Sequence, residues 1–265
     1  MGFPAAQHSG RRRFRAFRAI GALMLREMAS TYGRSPGGYV WMILEPAAGL
    51  ALLSFVFGLM LRSPPLGTNF PYFFAGGLLP FTFYTTISMQ ISKSLNYSRP
   101  FLAYPAVTFL DALLARFLLN ALTQMLVMVV VVAGIVLVYD LRPIMDWSAI
   151  FLAMAMLFAL TISIGVMNCF LFGMFPLWER LWTVVNRPMF VLSGVLHIPE
   201  NVPMRFRDYY MLNPIAHITS QMRKGFFATY EASYVNPTYV FIISFVLLSL
   251  GLLFLLKNHK DIALK

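Results

Sequence analysis

Hydrophobic residues run along this chain in long blocks separated by short polar breaks. Blocks of spanning length fall at 39–61, 70–91, 112–138, 148–175, 181–198 and 236–256. A helix of about 22 residues is about 33 Å long, enough to cross a hydrocarbon core of about 30 Å. The pattern predicts an all-α integral membrane protein with six transmembrane helices. The second block contains "AGGLLP", and its Gly76, Gly77 and Pro80 predict an irregular helix. The fifth is short and is interrupted by "NRP", Asn186–Pro188.

Two further stretches are apolar on one side only. In "RRRFRAFRAIGALMLREMASTY", Phe14, Phe17, Gly21, Met24 and Met28 follow the helical period, while Arg12, Arg15 and Arg26 lie elsewhere. That spacing predicts an interfacial amphipathic helix ahead of the first span. In "YYMLNPIAHITSQMRKGFF", the stripe is Met211, Ile215, Ile218, Met222 and Phe226. Its other face carries Asn213, His217, Gln221, Arg223 and Lys224, which makes the segment too polar to span. Asn213–Pro214 suits a helix start, with Asn as cap and Pro at the first position. The residues alone leave two placements open: flat on the outer leaflet, or folded back as a re-entrant hairpin over 199–227.

Composition fixes the class. Of 265 residues, 59% are hydrophobic and 12% charged, where soluble domains carry about a quarter charged. No stretch is long and polar enough for a separate soluble domain. The organisation expected is a cytoplasmic N-terminus with its interfacial helix (1–38), a transmembrane domain (39–256) and a cytoplasmic tail (257–265). The first 36 residues have no apolar run followed by a small-residue cleavage site, so the first span is expected to remain in the mature protein. The net charge of +11 sits beside the hydrophobic blocks, which reads as anchoring to anionic lipid and not as nucleic-acid binding. Arginine and lysine crowd 11–34, 93–99, 180 and 257–265, whereas the short loops on the other side hold only Arg62 and Arg142. By the positive-inside rule both termini are cytoplasmic.

Two catalytic motifs are missing from the sequence: it has no G-x-x-x-x-G-K-[ST] and no H-E-x-x-H. A G-x-S-x-G string does occur at Gly33–Gly37, but between two helical patterns and not between a strand and a helix, where a nucleophile elbow needs it. Cys169 is the single cysteine, which excludes an intrachain disulfide. His8, His197, His217 and His259 are scattered over both sides of the expected bundle, an improbable metal site. Charges inside spans carry more weight. Arg187 lies within the fifth block beside Asn186; the two either serve the carbonyl that Pro188 leaves without a donor or face a wet path. Glu45 and Arg116 lie near the cytoplasmic ends of their spans, from which they can snorkel to the headgroups.

One segment carries a specific combination. "REMASTYGRSPGGYVWMILEP" holds Arg26–Glu27, Tyr32–Gly33, Gly38–Tyr39, Trp41 and Glu45–Pro46. It resembles the pre-span signature of capsular polysaccharide export permeases, the membrane subunits of ATP-binding-cassette exporters. "PLWERLWTVVNRPMFVLSGVLHIPENVP" and "NPIAHITSQMR" resemble the later region of the same family, so the likeness runs through essentially the whole chain. The "SPGG" at 35–38 departs from the pattern.

The resemblance implies a channel-forming permease that moves a lipid-linked, acidic capsular polysaccharide across the bacterial inner membrane. It implies no cofactor on this chain, ATP and magnesium being held by a separate subunit. The implied partners are a second copy of the chain, two ATP-binding-cassette ATPase subunits, the polysaccharide, and periplasmic and outer-membrane export components. It also implies a coupling segment after the second span, within 92–108, formed by Asn96, Tyr97, Arg99, Pro100, Tyr104 and Pro105. Re-entrant helices between spans five and six would gate the outer exit. Path or gate residues are then Tyr39, Trp41, Asn186, Arg187, Asn213, Pro214, Ile218 and Arg223. Aromatics with polar tips suit sugars, and Tyr72, Tyr84, Trp178 and Trp182 are further candidates, although interfacial belts use the same residues. An exporter of another lipid-linked glycan, a lipid or a drug shares these features. A membrane-embedded lipid-modifying enzyme would need converging polar groups, and the sequence shows no such cluster.

Overall fold

A computed structural model of the chain describes residues 9–32, 38–102 and 108–264. Among the described residues the regular elements are helices: α1 (Ser9–Tyr32), α2 (Gly38–Met60), α3 (Phe70–Ser92), α4 (Ser94–Leu102), α5 (Phe109–Val138), α6 (Trp147–Met174), α7 (Pro176–Leu192), α8 (Met204–Tyr210), α9 (Pro214–Phe226) and α10 (Pro237–Leu264). A 3₁₀ turn at Pro199–Asn201 precedes α8. Among the described residues four helices are long and apolar enough to cross a membrane: α2 over Val40–Met60, α5, α6, and α10 over Pro237–His259.

The core is built around α3, α6 and α9, with α10 laid along α6 and α5 along α3. A Cβ at Gly251 of α10 would come within 2.9 Å of the Met167 backbone nitrogen, so the missing side chain is what lets α10 and α6 approach backbone to backbone. Asn69, Thr108 and Asp146 cap α3, α5 and α6, each accepting from a backbone N–H two or three residues into its helix. By contrast α2 buries little beyond Leu50, and α7 has no buried residue.

Five of the six hydrophobic blocks match helices within a few residues at their starts; α10 runs on past 256. The fifth does not: 181–198 becomes a helix at Pro176–Leu192 and then a turn. Pro176 supplies a preset φ at the helix start, and Gly194 at φ +73° ends it in the left-handed region that favours glycine. The second block is not irregular either. α3 is continuous through Gly76, Gly77 and Pro80, and its glycines serve a neighbour, as described next.

Candidate functional site

At one end of the bundle α4 turns off α3. Ser94 Oγ donates to the Ile91 carbonyl at 2.7 Å and lies 3.7 Å from Cys169 Sγ. Ser94, Leu95 and Ser98 are buried, while Asn96 is exposed. The segment is therefore a helix with an inner face seated against α5, α6 and α10 and an outer face left open. Tyr97 lies beneath two guanidinium groups, Arg116 at 4.1 Å and Arg26 at 5.3 Å from its ring centre. Arg99 and Pro100 belong to α4; Tyr104 and Pro105 lie outside the described residues, as do most of the residues of "SPGG".

Arg116 does not snorkel. It pairs with Glu27 of α1 at 3.1 Å, both side chains being only 7% exposed. It also donates to the Gln90 carbonyl of α3 at 2.9 Å. Asn120 reaches the same Glu27 carboxylate at 3.4 Å. The N-terminal helix, the end of α3, α4 and the start of α5 thus meet at one buried charge pair. Sequence reasoning missed this cluster. The available signal was that Glu27 is the first acidic residue of a strongly basic N-terminal stretch. On its other side α1 keeps Phe17, Leu25 and Met28 exposed.

At the other end α8 leads into α9 through residues 211–213. Asn213 caps α9, its Oδ1 accepting from the Ile215 N–H at 3.0 Å, and its Nδ2 donates to the Leu192 carbonyl at 3.0 Å. Thr219 Oγ1 donates to the Ser193 carbonyl at 2.7 Å. The apolar stripe is buried through Ile215, Ile218, Met222 and Phe226. The polar face is buried too: His217, Gln221 and Arg223 are all under 7% exposed.

Arg223 therefore does not project into an open polar space, as the helical period suggested. Its side chain has no exposed surface. It donates to the carbonyls of Gly194, Val195 (2.8 Å) and His197 (2.9 Å), and its guanidinium lies 4.2 Å from the Phe73 ring centre. The cage exists because α3 has glycine opposite: a Cβ at Gly77 would sit 2.7 Å from Arg223 Nη2 and 2.9 Å from Val195 Cα. Burial, with the Arg223 charge close by, holds the His197 imidazole below its ordinary pKa.

Three further polar residues of this end also serve the fold. Arg207 of α8 donates to the carbonyls of Glu200 and Val202 at 3.0 Å each. The Glu200 carboxylate accepts from Tyr230 Oη at 3.1 Å; burial first, and that carboxylate second, push the Tyr230 phenol up.

The other sequence candidates scatter. Trp41 is 64% exposed on α2, where Tyr39 is the second residue. Arg187 is exposed on α7 and makes no hydrogen bond to the described residues; Asn186 is half-buried and does not reach a freed carbonyl either. Tyr72 stacks on Phe226 and donates to its carbonyl, Tyr84 is buried, and Trp178 donates to Asn168 Oδ1 at 2.9 Å. These three are packing residues. A hollow of about 630 Å³ between α7 and α8 is lined by Asn213 and Pro214, which the sequence reading named, and by Phe206, Tyr209, Tyr210 and His197, which it did not place on the path. Among the described residues no three His, Cys, Asp or Glu side chains converge as metal ligands.

The profile of the ABC-2 type transporter family matches residues 18–227. The polysialic acid transport protein KpsM of Escherichia coli is 25% identical over 233 residues, covering 88% of this chain and 90% of that protein. The capsule polysaccharide export inner-membrane protein CtrC of Neisseria meningitidis is 27% identical over 249 residues, 92% of each. BexB of Haemophilus influenzae, with the same description, is 22% identical over 249 residues, again 92% of each. The chain belongs to the ABC-2 type transporter family.

Proposed function

From that membership we propose that the protein is the membrane-spanning permease subunit of an ATP-driven exporter of capsular polysaccharide. The observation that carries the reading is the reach of the likeness. Relatives named for capsule or polysialic acid export align with 88–92% of this chain, so the α4 end and the α8–α9 end are both included. In this reading α3 and α7 cross the membrane with the four apolar helices, and both termini face the cytoplasm. α1 lies at the inner interface and α4 touches a separate ATPase subunit that holds ATP and magnesium. The buried Glu27–Arg116 pair joins α1 to α5, and Tyr97 of α4 lies against Arg116, so a push on α4 reaches α1 and α5 together.

A hydrated glycan is too wide for one small bundle. Two copies with the path on their two-fold axis are the economical arrangement. α2 and α7, which bury almost nothing within one chain, would supply Tyr39, Trp41, Asn186 and Arg187 to that path. The α8–α9 hairpin, with Asn213, Pro214, Ile218 and Arg223 holding its shape, closes the outer end as a re-entrant element. Beyond it the glycan passes to periplasmic and outer-membrane export components.

The test is reconstitution. The purified chain alone should neither bind nor hydrolyse ATP, and with its ATPase partner it should support vanadate-sensitive hydrolysis and capsule export in cells lacking the native gene. Tight ATP binding by the isolated chain would sink the reading.

A further inference from the structure

A second cavity, of about 150 Å³, opens between α2, α3 and α5. A single water needs only about 10–15 Å³ of such space, so a ring-sized group fits. The cavity is polar, which is unusual inside a membrane bundle. α3 presents Thr82, Thr86 and Gln90, spaced four residues apart on one face; α5 adds Asn120 and Gln124, also four apart. α2 closes it with Met42, Glu45 and Pro46. At 1.5 Å per residue the α3 side chains lie about 3–15 Å from the α4 end of that helix.

Thr82 donates to the Leu79 carbonyl at 3.0 Å, and Asn120 to the Arg116 carbonyl and the Glu27 carboxylate; the other groups are not used by the fold. Glu45, Thr86, Gln90 and Gln124 make no side-chain hydrogen bond or ion pair with the described residues. Pro46 has no N–H, so the Met42 carbonyl one turn earlier lacks its helical donor. Thr86, Gln90 and Gln124 are half-buried and Glu45 is exposed at the cavity's edge, and polar groups left open to lipid are costly to keep unless something polar meets them.

The chemistry of the lining selects the ligand. Acceptors are plentiful: the Glu45 carboxylate, the Met42 carbonyl and the amide oxygens. The amide N–H₂ groups and threonine hydroxyls add donors. Arg116, the nearby cation, is committed to Glu27 and the Gln90 carbonyl. An anion would meet Glu45 with no opposing charge to hold it. A hydroxyl donates and accepts, and suits every group present.

We infer that this cavity is a binding site for one uncharged, polyhydroxylated sugar ring, in the half of the bundle nearest α4. The site rests on the export reading: it would hold an uncharged sugar unit of the glycan, and not one of its acidic units, before that unit moves outward.

The experiment uses the complex with its ATPase subunit in phosphatidylcholine nanodiscs. Saturation-transfer NMR follows maltoheptaose, a neutral probe, and oligogalacturonate, an acidic one. Maltoheptaose should give a signal in the native complex, and Gln90→Leu or Thr86→Val should lower its affinity by roughly fivefold per lost hydrogen bond. Phe206→Ala, in the separate hollow beneath α8, should leave it unchanged. Oligogalacturonate should bind weakly and gain affinity with Glu45→Gln. Melting temperature and basal ATP hydrolysis confirm that each variant is folded. Binding that ignores both Gln90→Leu and Thr86→Val, or equal binding of both probes to the native complex, overturns the assignment. Displacement of maltoheptaose by phosphatidylglycerol in the disc makes the cavity a lipid-headgroup site and overturns it too. Loss of capsule export as a function, with sugar binding intact, would sink the export reading and leave the site standing.

Discussion

Arg223 heads the side chains that have lost all contact with solvent, and it is charged. What makes that tolerable is a fork that matches its surroundings: three carbonyls of the 194–197 turn on one side and the Phe73 ring on the other. Lysine cannot reproduce the fork. Arg223→Lys should leave at least one of these carbonyls unpaired, at about 1–3 kcal/mol each, and should lower the melting temperature in detergent while speeding protease cleavage in the turn. Gly77→Ala attacks the same cage from α3. Its new methyl would lie 2.9 Å from Val195 Cα, a backbone atom that has little freedom to yield, so a loss of about 1–3 kcal/mol is expected. Because the two changes share a partner, the double variant should cost less than the sum. Strict additivity in a melting-temperature cycle would mean that Gly77 and Arg223 do not share a site.

At the level of elements, the legible features were those that one segment encodes by itself. Long apolar blocks gave α2, α3, α5, α6 and α10 because membrane-spanning length is written in hydropathy. The α9 start was readable from Asn213–Pro214 because a cap is a local device. Features that depend on a partner were not legible. Gly76 and Gly77 read as a break in α3, since nothing nearby in sequence shows the arginine that needs their space. The polar face of α9 read as open because the 193–198 turn that covers it belongs to the far end of α7. Arg116 read as a snorkelling cation because its carboxylate lies 89 positions earlier in the chain.

That pair yields the element-scale prediction. Glu27→Gln leaves the Arg116 charge buried without its counter-ion, expected to cost about 3–5 kcal/mol, whereas replacing both residues by methionine should recover much of the loss. If the pair also transmits force between α1 and α4, the double variant melts near the native temperature yet exports less polysaccharide per ATP hydrolysed. Native export per ATP in that variant would reduce the pair to a packing device.

For the whole molecule the decisive question is where the α8–α9 end sits relative to the bilayer. In the proposed orientation the 199–227 segment lies on the outer side, with Arg62 and Arg142 in the short loops of the same side. A helix lying flat on that surface would show one face to lipid and the other to water, but α9 does neither: both of its faces are covered by α3, α6 and the 193–198 turn. Backbone that folds back into the membrane is tolerated where protein covers it or a wet cavity adjoins it, and α9 meets the first condition within a single chain. The discrimination therefore falls to α8 and the bend after it, where Met204, Phe206, Tyr209 and Leu212 are exposed at 57–81%. Single cysteines at these positions, in a background lacking Cys169, should react with a water-soluble maleimide added from outside if they border a hydrated exit. They should also resist quenchers dissolved in the lipid phase. Cysteines at Ile215, Ile218 and Met222 should be silent to both reagents in the folded protein, and labelling at Lys257 should require access from the cytoplasm. Adding the ATPase partner with a non-hydrolysable nucleotide should change reactivity at Tyr209 and Leu212 while leaving Ile218 silent, because the part that moves in a gate is the part that α9 does not pin. Ready quenching of positions 204–212 from the lipid phase, with no response to nucleotide, would instead mean that α8 is a membrane-surface anchor and that the exit is closed by some other element.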